Sequence, residues 1–146
     1  MSTRTRFVLA LVVIVALVLP MAALGKAPAR PVVATILHTN DYHGRLEPDS
    51  SNRGGAAYVA GKINAIRDAK GKQNVLLLDA GDEFFAAPAI SQLLMGVSTI
   101  DVFNMMGYQT AVFGNHEFDK GQDVLLERIN QSDYPWLGAN VVLEGT

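Results

Sequence analysis

The 146-residue chain has room for one globular domain, and is too short for a complete catalytic domain together with a separate substrate domain. It is 49% hydrophobic and 18% charged, and without residues 1–25 it carries 10 Lys plus Arg against 14 Asp plus Glu, a mildly acidic balance that argues against broad nucleic-acid binding. The absence of cysteine excludes disulfides, thiolate catalysis, cysteine zinc sites and a lipid-modified cysteine, so stability must come from packing and bound ions.

Arg4 and Arg6 precede the uninterrupted apolar run Phe7 to Leu19, and Pro20 with the small residues Ala22, Ala23 and Gly25 follows, which is the layout of a secretory signal peptide over residues 1–25. The run covers 13 residues, short of the roughly 20 that a membrane-crossing helix needs. Cleavage is expected after Gly25, with a second site of the same kind at Ala29, and an exported product that meets the membrane only transiently. An uncleaved signal anchor is the alternative. Residues 26–31, Lys-Ala-Pro-Ala-Arg-Pro, read as an extended linker.

From Val32 the pattern alternates. Val32 to Leu37 is a β-branched apolar run that ends at His38-Thr-Asn-Asp, as a buried strand does when it delivers polar residues at its C-terminal end. Asp49 to Gly55 is a polar loop, and Ala56, Val59, Ala60, Ile63 and Ile66 recur as on one helix face. A second strand, Asn74 to Leu78, runs into Asp79-Ala-Gly-Asp82, and a third, Gln109 to Phe113, runs into Gly114-Asn-His-Glu-Phe-Asp119. Between them, Pro88 to Met95 and Ser98 to Met106 read as short helices divided near Gly96; a helix from Gln122 to Asn130 and a strand from Trp136 to Val142 complete the chain. Strands alternating with helices predict an α/β fold with parallel pairing, its ligand site beyond the carboxyl ends of the strands.

Three polar loops converge there. In Asp41-Tyr-His43, side-chain alternation in extended chain puts a carboxylate and an imidazole on the same side, where both can meet one ion. In Gly81-Asp82, the glycine permits close approach of backbone, and the carboxylate offers two oxygens able to bridge two cations; Asp79 is a competing carboxylate set further back. In Gly114-Asn-His-Glu-Phe-Asp119, the Asn115 amide oxygen suits a hard cation and His116 can donate a proton or stabilise charge on a phosphoryl oxygen. Asp119 can then fix the tautomer of His116 from the other ring nitrogen. Glu117 reads as a solvated or supporting carboxylate, and His38 as a core or supporting residue. Arg45 and Arg53 read as solvated; Phe84, Phe85, Met105 and Met106 read as packing.

Asp-x-His, Gly-Asp and Gly-Asn-His-Glu at three successive strand ends resemble the calcineurin-like metallophosphoesterases. The strings Ile36-Leu-His-Thr-Asn-Asp-Tyr-His-Gly44, Val75-Leu-Leu-Leu-Asp-Ala-Gly-Asp82 and Gly114-Asn-His-Glu-Phe-Asp119 resemble the secreted 5′-nucleotidase family with its UDP-sugar hydrolase and 2′,3′-cyclic-nucleotide phosphodiesterase relatives. The resemblance implies the N-terminal portion of a four-layer αββα sandwich and two divalent ions (Mn, Zn, Mg or Ca). Asp41 and His43 would hold the first ion, Asp82 would bridge, Asn115 would hold the second, and His116 would stabilise the transition state with Asp119 as its partner. The implied reaction is hydrolysis of a nucleotide phosphate ester by metal-activated water. The later histidine motifs and C-terminal substrate domain of that family are not in the sequence, whose three histidines are His38, His43 and His116. Residues 32–146 are therefore expected to be an incomplete domain, inactive alone, with a secreted non-catalytic binding module as the alternative.

Overall fold

A computed structural model describes residues 31–142, and the fold belongs to the unit that begins at Val33. The expected leader, and the expected linker up to Arg30, lie outside the described residues. The elements in chain order are β1 (Thr35–Thr39), α1 (Ala56–Lys70), β2 (Val75–Asp79), α2 (Ala89–Gln92), α3 (Val97–Met106), β3 (Thr110–Val112), α4 (Gly121–Gln131) and β4 (Trp136–Leu137), with 3₁₀ turns at Lys72–Asn74 and His116–Phe118. No helix among the described residues is long and apolar enough to cross a membrane.

The four strands form one parallel sheet in the order β1-β2-β3-β4. Each crossover steps to the next strand in the same direction, so a single crossover hand puts every helix on one face. Burial along β2 shows the result: Val75, Leu77 and Asp79 are buried, while Leu76 is 39% exposed and its register partner Ile36 is 61% exposed. On the covered face, Ile63 of α1 and Phe103 and Met106 of α3 pack with Leu77, Tyr108, Ala111 and Tyr134. A second cluster joins Phe84 and Phe85 to Ile100 of α3 and Leu125 of α4. The described residues thus make two of the four layers that the resemblance implies.

Expected and observed elements differ at their ends. β1 starts at Thr35, because Val32 and Val33 lie before the residues that pair with β2; α2 is a single turn; and β4 is two residues long. His38, expected as a core or supporting residue, is exposed among the described residues, which sets aside the core role: along β1 it alternates with the half-buried Leu37 and Thr39 and so points away from the helices. Phe84 and Phe85 are fully buried as expected, but of the methionine pair only Met106 is buried, and Met105 is 87% exposed.

The end of α3 sets the course of the chain into the core. Gly107 has φ 71°, a left-handed conformation that favours glycine, and its N–H donates to Asn104 O while the N–H of Tyr108 donates to Phe103 O. This closing turn brings residue 108 back onto residue 103, and the two rings stack at 4.1 Å. Tyr108 is thereby directed into the core with its hydroxyl at the ends of β1 and β2.

Candidate metal centre

The loops after β1 and β2 run on side by side beyond the sheet. Ala80 N–H donates to Thr39 O, Asp41 N–H to Gly81 O, His43 N–H to Asp82 O and Gly44 N–H to Glu83 O, over 2.7–3.0 Å. This zipper brings Asp41, His43 and Asp82 together: one ligand atom from each lies within 4.8 Å of the others. The expectation that extended chain would align positions 41 and 43 is not met. Asp41, His43 and Asp82 have φ values of 51°, 49° and 60°, in the left-handed region, so their convergence comes from a strained turn held by its neighbour.

His43 is prepared to ligate. Its Nδ1 lies 2.8 Å from the carbonyl oxygen of Phe85, which only accepts, so Nδ1 carries the proton. The lone pair is left on Nε2, 3.9 Å from Asp41 Oδ1. Two carboxylates and a neutral imidazole form a donor set that suits a borderline or hard divalent cation such as Mn²⁺ or Zn²⁺. The residues present therefore fit a metal ion.

The third loop joins this group backbone to backbone. A Cβ at Gly114 would stand 2.1 Å from Asp82 Oδ1, and one at Gly81 would stand 2.5 Å from Gly114 N, so only glycines allow the approach. The N–H of His116 donates to Asp82 Oδ1 at 2.9 Å. Its ring lies edge-on to His43, centroids 5.2 Å apart, and its Nδ1 is 2.9 Å from Asp119 Oδ2. The hydrogen bond to Asp119 raises the His116 pKa above its ordinary value and leaves Nε2 for another partner. Asn115, between these residues, is exposed at the entry to the 3₁₀ turn.

Beneath the exposed groups lie three buried carboxyls whose arrangement the sequence did not disclose. Asp79 accepts from Thr39 Oγ1 and from Gly81 N–H at 2.7 Å, and Thr39 Oγ1 is in turn 2.8 Å from the hydroxyl of Tyr108. Burial pushes the Asp79 carboxyl up to about 7. Glu83 accepts from the Tyr134 hydroxyl at 2.9 Å, its Oε1 has no partner among the described residues, and burial drives its pKa well upward. Glu117 is fully buried, so of its two expected readings, solvated or supporting, the structure sets aside the first and agrees with the second. It accepts three backbone N–H groups, from Asp82, Glu83 and Gly114. Burial raises its pKa, and the three donors oppose the rise. A 3₁₀ turn at His116–Phe118 brings Glu117 back to the Gly114 N–H three residues earlier. Arg53 pairs with Asp49 on the surface, and Arg45 is exposed, as expected of both.

A family model described as Calcineurin-like phosphoesterase matches residues 34–145. The 5′-nucleotidase of Bos taurus is 37% identical over 139 residues, covering 88% of this chain and 24% of its own length. The snake venom 5′-nucleotidase of Naja atra is 38% identical over 121 residues, covering 76% of this chain and 22% of its own. Among solved structures, the NAD nucleotidase of Haemophilus influenzae superposes with a TM-score of 0.66 at 32% identity, covering 77% of this chain and 21% of the other. This chain spans about a quarter or less of the length of each of these relatives.

Proposed function

The chain belongs to the calcineurin-like phosphoesterase family, and from that premise we propose that it is the metal-holding portion of an exported phosphohydrolase acting on nucleotide phosphate esters. The observation that carries the reading is the meeting of Asp41, His43 and Asp82 with the His43 lone pair already turned inward. In this reading Asp41, His43 and Asp82 would hold one ion, and Asp82 with the Asn115 amide oxygen would hold a second. Divalent ions bound there would polarise a phosphoryl oxygen and lower the pKa of a water molecule. His116, held by Asp119 through Nδ1, presents Nε2 to the phosphoryl oxygens and stabilises their charge or protonates the leaving oxygen. The leader-like residues 1–25 and the venom origin of one relative support export.

With Asp82 and Asn115 as its protein ligands among the described residues, a second ion would be held weakly, so this chain by itself is expected to bind one ion more tightly than the other and to turn over poorly. The test is a chimera in which residues 34–142 replace the matching segment of the bovine 5′-nucleotidase. Release of phosphate from a nucleoside 5′-monophosphate should depend on Mn²⁺ or Zn²⁺ and fall by at least about 100-fold with His116→Ala. A folded chimera that binds metal without turnover would refute the catalytic reading in favour of a binding module.

A further inference from the structure

We infer that Glu117 is a positioning residue of this centre, whose buried carboxylate clamps the Gly81–Glu83 loop to the loop that begins at Gly114 and so fixes Asp82. The inference rests on the metal-site reading and extends it to a residue with no contact to the ion. Because a Cβ at Gly81 or Gly114 would collide with the opposite loop, no side chain can fill the join between them. The join is lined by main-chain N–H groups, and these need acceptors. Glu117 supplies both of its oxygens: Oε2 accepts from Asp82 N–H at 2.8 Å and from Gly114 N–H at 2.7 Å, and Oε1 accepts from Glu83 N–H at 2.7 Å.

Two of those donors flank one α-carbon. The peptide before Asp82 carries the N–H of Asp82, and the peptide after it carries the N–H of Glu83, so a single carboxylate pins both planes and thereby the direction of the Asp82 side chain. Such pinning is needed, because Asp82 has φ 60°, a conformation that persists only where the surroundings hold it. The third bond, to Gly114, ties the same carboxylate to the segment whose His116 N–H donates to Asp82 Oδ1. Glu117 is 0% exposed with both oxygens occupied, so it acts through Asp82 and not as a ligand.

Glu117→Gln is the discriminating substitution. A glutamine offers one acceptor oxygen and an NH₂, so at least one of the three N–H groups then faces a donor. Mn²⁺ affinity of the full chain, read by electron paramagnetic resonance of the free ion, is expected to fall about 10- to 100-fold, the usual effect of removing a residue that supports a ligand. Val75→Ala, which opens the core at the start of β2, the end of the strand away from these loops, should lower thermal stability and leave the affinity unchanged. A folded Glu117→Gln chain whose Mn²⁺ affinity stays within about two-fold overturns the inference alone. A parent chain that binds no Mn²⁺ overturns the metal-site reading and the inference with it. If Glu117→Gln does not fold, amide hydrogen exchange on the unsubstituted chain decides: the amides of Asp82, Glu83 and Gly114 should be protected, and more so with Mn²⁺ or Zn²⁺ added. Exchange of these amides at the rate of solvent-exposed loops would overturn the clamp.

Discussion

Gly114→Ala tests whether the two glycine loops are in the contact described. The new Cβ would stand 2.1 Å from Asp82 Oδ1, 2.6 Å from Asp82 N and 2.7 Å from Asp82 Cγ, and the nearest atoms include main chain, which cannot swing aside. Restoring ordinary carbon-oxygen contact requires the loops to part by about 1 Å, which carries hydrogen bonds of 2.8–2.9 Å beyond their effective range. Overpacking of this kind costs about 1–3 kcal/mol, and weakening bonds to a carboxylate adds about 1.5–3 kcal/mol, so a total of about 2.5–6 kcal/mol is expected. For a domain of this size that lowers the melting temperature by roughly 10–25 °C. Urea unfolding followed through Trp136, the single tryptophan, which stacks on Phe113, measures it directly. The control is Gly121→Ala, where φ is 84° and a Cβ would meet nothing within 4 Å, so only backbone strain of about 1–2 kcal/mol is added. Equal losses in the two variants would refute the close approach.

Three further outcomes follow from the same geometry. Gly61 lies inside α1, and a Cβ there would meet nothing within 4 Å, so Gly61→Ala should stabilise the fold by about 0.5–1 kcal/mol in the same urea experiment. Asp79 has its carboxyl raised from 3.8 to about 7 by burial, so the metal-free folded chain binds more protons than the unfolded one between those values, and its stability falls as pH rises through that window. The full rise corresponds to about 4 kcal/mol, and Asp79→Asn should flatten the decline, since the Thr39 hydroxyl can accept from the new amide while donating to Tyr108. Asp119→Asn should lower the pKa of His116, whose upward shift comes first from that hydrogen bond; the three histidines make a proton NMR titration simple to read, and an unchanged His116 would refute the pairing.

How much of the molecule was legible beforehand divides by the range of the interaction involved. The alternation of strand and helix followed from local pattern, because an apolar run such as Val75 to Leu78 ending in a polar, glycine-containing loop reads as a strand without reference to the rest of the chain. Element ends were less legible: β1 starts where pairing with Val75 starts, and that is a fact about two segments 40 residues apart. The exposure of His38 was missed for the same reason. A strand in a parallel sheet is expected to be covered on both faces, but sequential strand order puts every helix on one side, so Ile36 and His38 have no covering layer among the described residues.

At the site, residue types were readable and their supports were not. Asp41, His43, Asp82, Asn115, His116 and Asp119 announce themselves because polar groups at strand ends stand out against apolar runs. Glu117 belongs to the same motif, yet nothing local distinguishes a carboxylate in water from one that accepts N–H groups 35 and 34 residues back along the chain. The sequence does carry one trace of that support, in the pair Gly81 and Gly114. Two glycines required by contact with each other leave a seam of unpaired amides, and such a seam must be closed by an acceptor that is buried with it. Glu117 is the acidic residue three positions beyond the second glycine. The same reasoning explains why the left-handed turns at Asp41, His43 and Asp82 could not be foreseen: their strain is held by bonds to a neighbouring loop, and an isolated Asp-Tyr-His segment would relax to extended chain.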